Sequence, residues 1–177
     1  MSEREHLLRH INDKAVVHTP VILSSGQRAE YYIDLRRVTL SGESAPLVGS
    51  TMLAATGDLD YTAVGGLTLG ADPVATAMLH AAHAQGTHLD AFVVRKSDKA
   101  HGLQRRIEGP DVAGQRVLAV EDTSTTGNSV LTAVNALREA GAEVVGVAVI
   151  VERGARERVT AAGLDYRAVF ELGDLDV

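Results

Sequence analysis

The chain has 177 residues, enough for one domain with a buried core, and 45% of them are hydrophobic, which excludes a disordered chain. It contains no cysteine, so disulfide bonds and thiolate metal sites are excluded. The formal net charge of −6 and the aromatic content of 3% argue against a nucleic-acid partner, because such binders rely on a basic face and on rings for base stacking.

The N-terminal part of the chain predicts one helix and two short strands. Ser2 and Glu5 have the spacing of a capping box, and the apolar residues after them give a helical stripe over 3–14. Residues 20–23 and 31–35 are typical of short strands separated by a glycine-containing turn. The charged start has no apolar secretory core, and no stretch is apolar enough to span a bilayer, so we expect a cytoplasmic protein without a membrane partner.

From residue 41 onward, helical and strand patterns alternate. A helix capped by Ser41 or Ser44 runs to about Thr56, and Asp72 and Pro73 have N-cap and first-turn character for the next helix. We predict further helices at 72–86, 130–140 and 154–162, and strands at 62–64, 89–94, 117–120, 143–151 and 167–172. This alternation predicts an α/β fold with a mainly parallel central sheet flanked by helices on both faces.

The stretch VLAVEDTSTTGNS, from Val117 to Ser129, has the clearest functional pattern. Its apolar start predicts a strand buried on both faces, and Glu121 and Asp122 follow at once. Next come Thr123, Ser124, Thr125, Thr126, Gly127, Asn128 and Ser129 before a helical pattern. Amides at a helix N-terminus bind anions, so we expect a phosphate on 125–129 and ribose hydroxyls or a metal ion on the carboxylates. An ordinary turn would need only one capping residue.

Two further segments fall at predicted strand ends. The glycine-rich stretch 65–73 matches neither the dinucleotide fingerprint nor the nucleoside-triphosphate P-loop, and it fits either a second anion cradle or tight packing. The segment 95–108 has five basic residues against two acids, and it fits either a solvated surface loop or a mobile lid over a polyphosphate. Its cations are Arg95, Lys96, Lys99, Arg105 and Arg106, with His101 among them.

With these motifs, the chain resembles the type I phosphoribosyltransferases, and among them the orotate phosphoribosyltransferases of the short bacterial form. Residues 117–129 resemble the phosphoribosyl-pyrophosphate (PRPP) motif of the superfamily, while 23–36, 65–73 and 93–109 resemble orotate enzymes. The resemblance implies the type I phosphoribosyltransferase fold as a single domain over 1–177. A small N-terminal hood (about 1–40, with the C-terminal segment) would cover a core at about 41–155.

The resemblance also implies an activity. The enzyme would transfer ribose 5-phosphate from PRPP to orotate, giving orotidine 5′-monophosphate and pyrophosphate in UMP biosynthesis. Mg²⁺ would be the cofactor, held mainly by substrate and water, and a homodimer would share the basic loop across subunits. The alternatives are a type I enzyme for a purine or another pyrimidine, and a non-catalytic regulator that senses PRPP and binds nucleic acid.

Roles for individual residues follow from the same resemblance. Lys99, Glu121 and Asp122 are the expected catalytic residues. PRPP would contact Arg95, Lys96, Lys99, His101, Glu121, Asp122, Thr123, Ser124, Thr125, Thr126, Gly127, Asn128 and Ser129. Orotate would contact Tyr32, Thr125 and Arg153. The chain departs from many relatives at Ser24 and within 67–71, where those relatives have a lysine.

Overall fold

The computed structural model describes residues 1–22, 26, 28–97 and 106–177. Helix α1 (Glu3–His10) begins with the predicted capping box. The Ser2 hydroxyl accepts a hydrogen bond from the Glu5 amide at 3.2 Å, and the Ser2 amide donates to the Glu5 carboxylate at 2.6 Å. These reciprocal bonds satisfy two amides that a helix start leaves unpaired.

The predicted helix over 3–14 is wrong beyond His10, because Ile11–Ala15 form a π-helical turn. Its wider winding keeps Ile11 and Ala15 on the same buried side as Leu7. The short strands that follow are β1 (Val16–Val17), β2 (Val21–Ile22), β3 (Arg28–Ala29) and β4 (Tyr32–Ile33). They form two small antiparallel sheets, β1 with β4 and β2 with β3.

Along the chain, the strands of the central sheet alternate with helices, as the sequence predicts. After α2 (Arg36–Thr39) and α3 (Ala45–Ala55) come β5 (Ala63–Leu67), α4 (Ala71–Ala84), β6 (Asp90–Val94), β7 (Ile107–Glu108), β8 (Arg116–Ser124), α5 (Asn128–Glu139), β9 (Glu143–Glu152), α6 (Arg156–Ala161) and β10 (Tyr166–Glu171). The strand order is β10-β9-β8-β5-β6-β7, and every pair is parallel except β6 with β7. The expected α/β fold with a mainly parallel sheet is therefore confirmed.

Two hydrophobic cores lie on opposite faces of this sheet. Alternate residues of β8 point to opposite sides, so Leu118 and Val120 pack with α1, α3 and α4, whereas Val117 and Ala119 pack with α5 and α6. All four are almost completely buried. The continuous apolar run in β8 is thus explained by helices on both faces. Within the described ranges, no helix combines the length and apolar character needed to cross a membrane.

Several predicted strand boundaries are wrong near strand ends. β5 continues through Gly65 and Gly66 to Leu67, because its parallel pairing with β6 extends that far. β8 likewise runs through the acid pair to Ser124, pairing with β9 along its length. The segment 95–110 lacks periodicity in its sequence, yet Ile107 and Glu108 form β7, which pairs with β6. A strand of two residues is too short to produce a detectable pattern.

The predicted helix starts also need correction. Ser44 precedes α3, but its hydroxyl makes no capping bond and lies instead 2.7 Å from His10 Nδ1. Gly70, and not Asp72, is the N-cap of α4, so Asp72 lies inside the first turn. α6 begins at Arg156, two residues after the predicted start.

Candidate active site

The candidate site lies where the chain connections leave the sheet in opposite directions. β5 leads through α4 to β6 on one side, whereas β8 leads through α5 to β9 on the other. α4 and α5 pack on opposite faces of the sheet. The carboxyl ends of β5 and β8 therefore border the crevice in which open α/β sheets bind their ligands.

Two glycines bring the chain after β5 close to β8. A Cβ atom on Gly66 would overlap the carbonyl oxygen of Val120. A Cβ atom on Gly70 would overlap the Glu121 carboxylate and lie 2.7 Å from Asp122 Oδ1. Close packing thus accounts for both glycines, and it places the turn after β5 directly against the acid pair.

The acid pair lies near the end of β8, with Glu121 buried and Asp122 partly buried. The Asp122 amide donates to Glu121 Oε1 at 3.2 Å, and the Thr123 amide donates to Asp122 Oδ1 at 2.7 Å. Burial, followed by the charge of Asp122, raises the pKa of Glu121 to about 9. Burial also raises the pKa of Asp122 above its ordinary value. Two carboxyl groups held this way favour a ligand that brings hydroxyl donors or positive charge.

Asp72 and Arg36 also act on this pair, although the sequence pattern predicts no role in the site for either residue. Asp72 adds to the repulsion that raises the pKa of Glu121, while the Arg36 guanidinium lowers that of Asp122. Thr68 donates its hydroxyl to Asp72 Oδ2 at 2.6 Å, whereas Asp72 Oδ1 is buried without a hydrogen-bond partner among the described residues. In the sequence, Asp72 before Pro73 fits an ordinary helix cap, so its proximity to the acid pair could not be predicted.

The turn from β8 into α5 has the features expected of an anion site. Gly127 is the N-cap of α5 and has a φ of 74°, a left-handed conformation that favours glycine. Thr125, Thr126, Asn128 and Ser129 are exposed around it. The first amides of a helix have no intrahelical acceptor, which makes the start of α5 suited to an anion, although the Asn128 amide already donates to the Thr126 hydroxyl at 3.4 Å. Thr123 and Ser124, predicted for the turn, instead end the strand.

The base of the basic segment is fixed by pairing between its two arms. The Arg95 amide donates to the Arg106 carbonyl at 2.8 Å, and Arg106 Nε donates back to the Arg95 carbonyl at 3.3 Å. Arg95 also forms an ion pair with Glu108 at 3.4 Å, while its Nε is buried without a hydrogen-bond partner in the described part of the chain. Lys96 is exposed. Lys99 and His101 lie outside the described residues.

The two remaining base-contact candidates lie on different parts of the fold. Arg153 follows β9, and its amide donates to the Ser124 carbonyl at 3.0 Å, which places it beside the end of β8. Its Nε is buried and has no hydrogen-bond partner among the described residues. Tyr32 lies in β4 opposite Val17 and is half-buried.

Comparison with known proteins identifies the family. Residues 63–165 match the family model of the phosphoribosyl transferase domain. The orotate phosphoribosyltransferase of Streptomyces avermitilis is 66% identical over 175 residues, covering 97% of this chain and 96% of that protein. This chain belongs to the orotate phosphoribosyltransferases. The Corynebacterium glutamicum member is 60% identical over 174 residues, covering 97% of this chain and 93% of that protein.

Solved orotate phosphoribosyltransferases have the same architecture. The Mycobacterium tuberculosis enzyme in complex with Fe(III) dicitrate superimposes with a TM-score of 0.91 at 57% identity, covering 99% of this chain and 100% of that one. The same enzyme in complex with PRPP gives a TM-score of 0.87 at 52% identity, covering 99% of this chain and 100% of that one. The type I phosphoribosyltransferase fold expected from the sequence is confirmed.

Proposed function

We propose that this orotate phosphoribosyltransferase transfers ribose 5-phosphate from PRPP to orotate in UMP biosynthesis. The observation that carries the proposal is the acid pair of β8, which leads directly into an exposed turn at the N-terminus of α5. The relatives named above support the choice of substrates, since one of them is solved in complex with PRPP. We further propose a single cytoplasmic domain in which the N-terminal hood covers the core.

The α5 turn would hold the 5′-phosphate through its amides and hydroxyls, on residues 125–129. Glu121 and Asp122 would accept hydrogen bonds from the ribose hydroxyls at the neighbouring end of β8. Both interactions fix the sugar at the carboxyl edge of the sheet, so the anomeric carbon is presented in one orientation. Positioning of this kind lowers the barrier of group transfer by removing rotational and translational freedom in advance.

Pyrophosphate would leave toward the basic segment, with Arg95, Lys96, Lys99 and His101 as its contacts. The bond from the anomeric carbon to the pyrophosphate oxygen breaks, and a bond from that carbon to the orotate ring nitrogen forms as that nitrogen releases its proton to solvent or to the leaving pyrophosphate. Positive charge develops on the sugar and negative charge on the leaving group, so fixed cations around the pyrophosphate lower the barrier. Arg95 Nε, which is buried and has no hydrogen-bond partner among the residues that the structure describes, supports this assignment, because a buried donor without an acceptor is costly.

Orotate would lie next to Arg153, with Thr125 and Tyr32 completing its contacts. A guanidinium suits the orotate carboxylate because it can donate two parallel hydrogen bonds. The buried Nε of Arg153 has no hydrogen-bond partner in the described ranges, which supports this role, since the substrate would supply its acceptor.

The residues around the acid pair fit a divalent cation, which we propose to be Mg²⁺. Among the described residues, no group of three or more His, Asp or Glu side chains is placed to hold a metal ion by itself. Carboxylate oxygens are nevertheless ligands that Mg²⁺ accepts, so Glu121 and Asp122 would hold it together with substrate and water oxygens. The cation supplies charge neutralisation for the leaving pyrophosphate.

A homodimer is the assembly that we propose. Leu40 is 72% exposed and Leu69 is 64% exposed, and both line a largely apolar groove of about 950 Å³ between α3 and α4. Arg36 and Asp72 line the same groove and also act on the acid pair, so the groove is continuous with the candidate site. A second copy seated there would cover the exposed leucines, and we propose, as the resemblance implies, that the two subunits share the basic segment. Sedimentation analysis of the wild type and of a Leu40→Glu variant tests this, and a monomeric wild type refutes it.

Orotate consumption in the presence of PRPP and Mg²⁺ tests the proposed function directly. We expect loss of orotate that requires both additions, with pyrophosphate released in equal amount. Adenine, hypoxanthine and uracil replace orotate in parallel reactions, and preference for one of them would favour another type I enzyme. Absence of turnover with every base, combined with nucleic-acid binding, would favour the regulator.

A further inference from the structure

A buried carboxylate lies immediately before Arg153. Glu152 is the last residue of β9 and is only 5% exposed. Its Oε1 accepts hydrogen bonds from the amides of Gly154 at 2.7 Å and Arg156 at 3.0 Å. Its Oε2 accepts a hydrogen bond from the Tyr166 hydroxyl of the neighbouring strand β10. Each oxygen therefore accepts at least one hydrogen bond, as a buried carboxylate requires.

Glu152 keeps its charge in this position. Burial alone would raise the pKa of Glu152, but the hydrogen bonds from Tyr166 and the two amides outweigh it, so the pKa lies below its ordinary value. The Tyr166 ring is in turn covered by the Arg156 guanidinium at 5.1 Å, and Arg156 pairs with Glu171 at 2.5 Å. The Tyr166 side chain is thus contacted at its hydroxyl by Glu152 and at its ring by Arg156.

These bonds fix the turn that presents Arg153. Gly154 has a φ of 120°, a left-handed conformation that glycine adopts readily, and Glu152 holds the turn in it by accepting a hydrogen bond from the Gly154 amide. The same turn is tied to the proposed phosphate site, because the Arg153 amide donates to the Ser124 carbonyl at 3.0 Å. Arg158 Nη1, on α6, donates to the Thr126 carbonyl at 3.1 Å. The end of β9 and the end of β8 are thus one hydrogen-bonded unit.

The engagement of Glu152 has a second effect on Arg153. A free carboxylate one residue away would compete for the Arg153 guanidinium. The hydrogen bonds that Glu152 accepts come from the amides of the turn and from the Tyr166 hydroxyl. Arg153 Nε has no hydrogen-bond partner among the described residues. Within the described part of the chain, Arg153 Nε is therefore left without a competing acceptor, and a substrate carboxylate could supply one.

We propose that Glu152 and Tyr166 form a positioning pair that sets the Arg153 turn for the carboxylate of orotate. The inference rests on the proposed function, in which Arg153 contacts orotate. Neither residue touches the reacting atoms, so both act through the turn. Their loss weakens the use of orotate selectively and leaves the use of PRPP little changed.

The decisive variant is Tyr166→Phe, which removes one hydroxyl and keeps the ring under Arg156. We expect the KM for orotate to rise about tenfold, the usual worth of a hydrogen bond to a charged group, while the KM for PRPP changes less than about twofold. Tyr61→Phe is the control, since the hydroxyl of the partly buried Tyr61 likewise lies 2.7 Å from a side chain, that of Thr56, far along the sequence from the Arg153 turn. It should lower the thermal midpoint similarly and leave both KM values unchanged.

A double-mutant cycle separates positioning from general stability. If Tyr166 acts through Arg153, then Tyr166→Phe added to Arg153→Ala causes no further rise in the KM for orotate. Glu152→Gln provides a second variant, since it keeps one carbonyl acceptor for the turn and should raise the KM for orotate by about threefold. Either variant suffices if the other does not fold.

The inference is overturned if Tyr166→Phe and Glu152→Gln leave the KM for orotate unchanged, raise both KM values equally, or multiply with Arg153→Ala. In those cases, wild-type turnover of orotate with PRPP still upholds the proposed function. A wild type that does not consume orotate overturns both.

Discussion

The carboxylate of Glu121 occupies the space that a Cβ atom on Gly70 would need. Gly70 has an ordinary helical backbone conformation, so the obstacles to alanine there are this contact and a second one, 2.7 Å from Asp122 Oδ1. Both obstacles are carboxylate ends of side chains, which can move away at small energetic cost. Adding one methyl group therefore displaces the acid while leaving the fold intact.

We expect Gly70→Ala to lower kcat/KM for PRPP by at least about tenfold, since a small misplacement of a positioning group costs at least that much. The thermal midpoint should change by less than about 2 °C, the effect of a few tenths of a kcal/mol in a chain of this size. Gly173→Ala is the matched control, because a Cβ atom there meets nothing within 4 Å. Equal activity of the two variants would contradict the proposed role of the acid pair.

Glu121→Gln should stabilise the ligand-free protein and abolish turnover. The pKa of Glu121 is raised from 4.5 to about 9, so the folded state binds a proton more tightly than the unfolded state does. This contribution to stability is complete below pH 4.5 and is lost as the pH rises through about 9. The glutamine variant avoids the loss, so its advantage grows with pH.

Thermal unfolding at pH 5, 7 and 9 measures this effect. A gain of about 1 kcal/mol corresponds to about 2–4 °C in a protein of this size. Glu139→Gln, at an exposed position on α5, provides the control and should track the wild type. A constant difference between Glu121→Gln and the wild type across this range would show that Glu121 does not titrate as stated.

Gly127→Ala should impair the binding of PRPP as well as stability. A positive φ costs an alanine about 1 kcal/mol or more, and a Cβ atom at Gly127 would also lie 3.3 Å from Val159. Gly86 is the matched control, since its φ of 76° is almost the same but its surroundings are open. Both alanine variants should lose stability, whereas only Gly127→Ala should raise the KM for PRPP. A similar rise in the KM for PRPP in Gly86→Ala would contradict the assignment of the α5 turn to the phosphate site.

Lys99→Ala should lower kcat by about 100-fold, which is the typical worth of one donor to the charge that develops in a transition state. The rate is measured at saturating PRPP, so that weaker binding does not obscure the effect. Lys14→Ala, which removes a cation paired with Glu43 at 2.7 Å on the N-terminal elements, serves as the control. An unchanged kcat would exclude Lys99 from catalysis.

Much of the fold could be predicted because its signals are local. The capping box at Ser2 and Glu5 and the apolar run of β8 both depend on neighbours in the sequence. The acid pair and the turn beside it could be found for the same reason.

The features that could not be predicted from the sequence depend on contacts between segments that are distant along the chain. Gly66 continues β5 only because the neighbouring strands pair with it, and Asp72 faces Glu121 only because α4 begins beside β8. The bond between Tyr166 and Glu152 depends on the pairing of β9 with β10, which no local pattern reports.

The burial of Glu121 also links ligand binding to proton release. With its pKa at about 9, the carboxyl group is still protonated in the ligand-free protein at neutral pH. A substrate–metal complex that needs the ionised carboxylate must therefore expel that proton into the solvent. Apparent affinity rises with pH as a result, and calorimetry in two buffers of different ionisation enthalpy would give different heats. Identical heats in both buffers would exclude this linkage. The burial that raises the pKa of Glu121 thus couples the binding of one substrate–metal complex to the release of one proton.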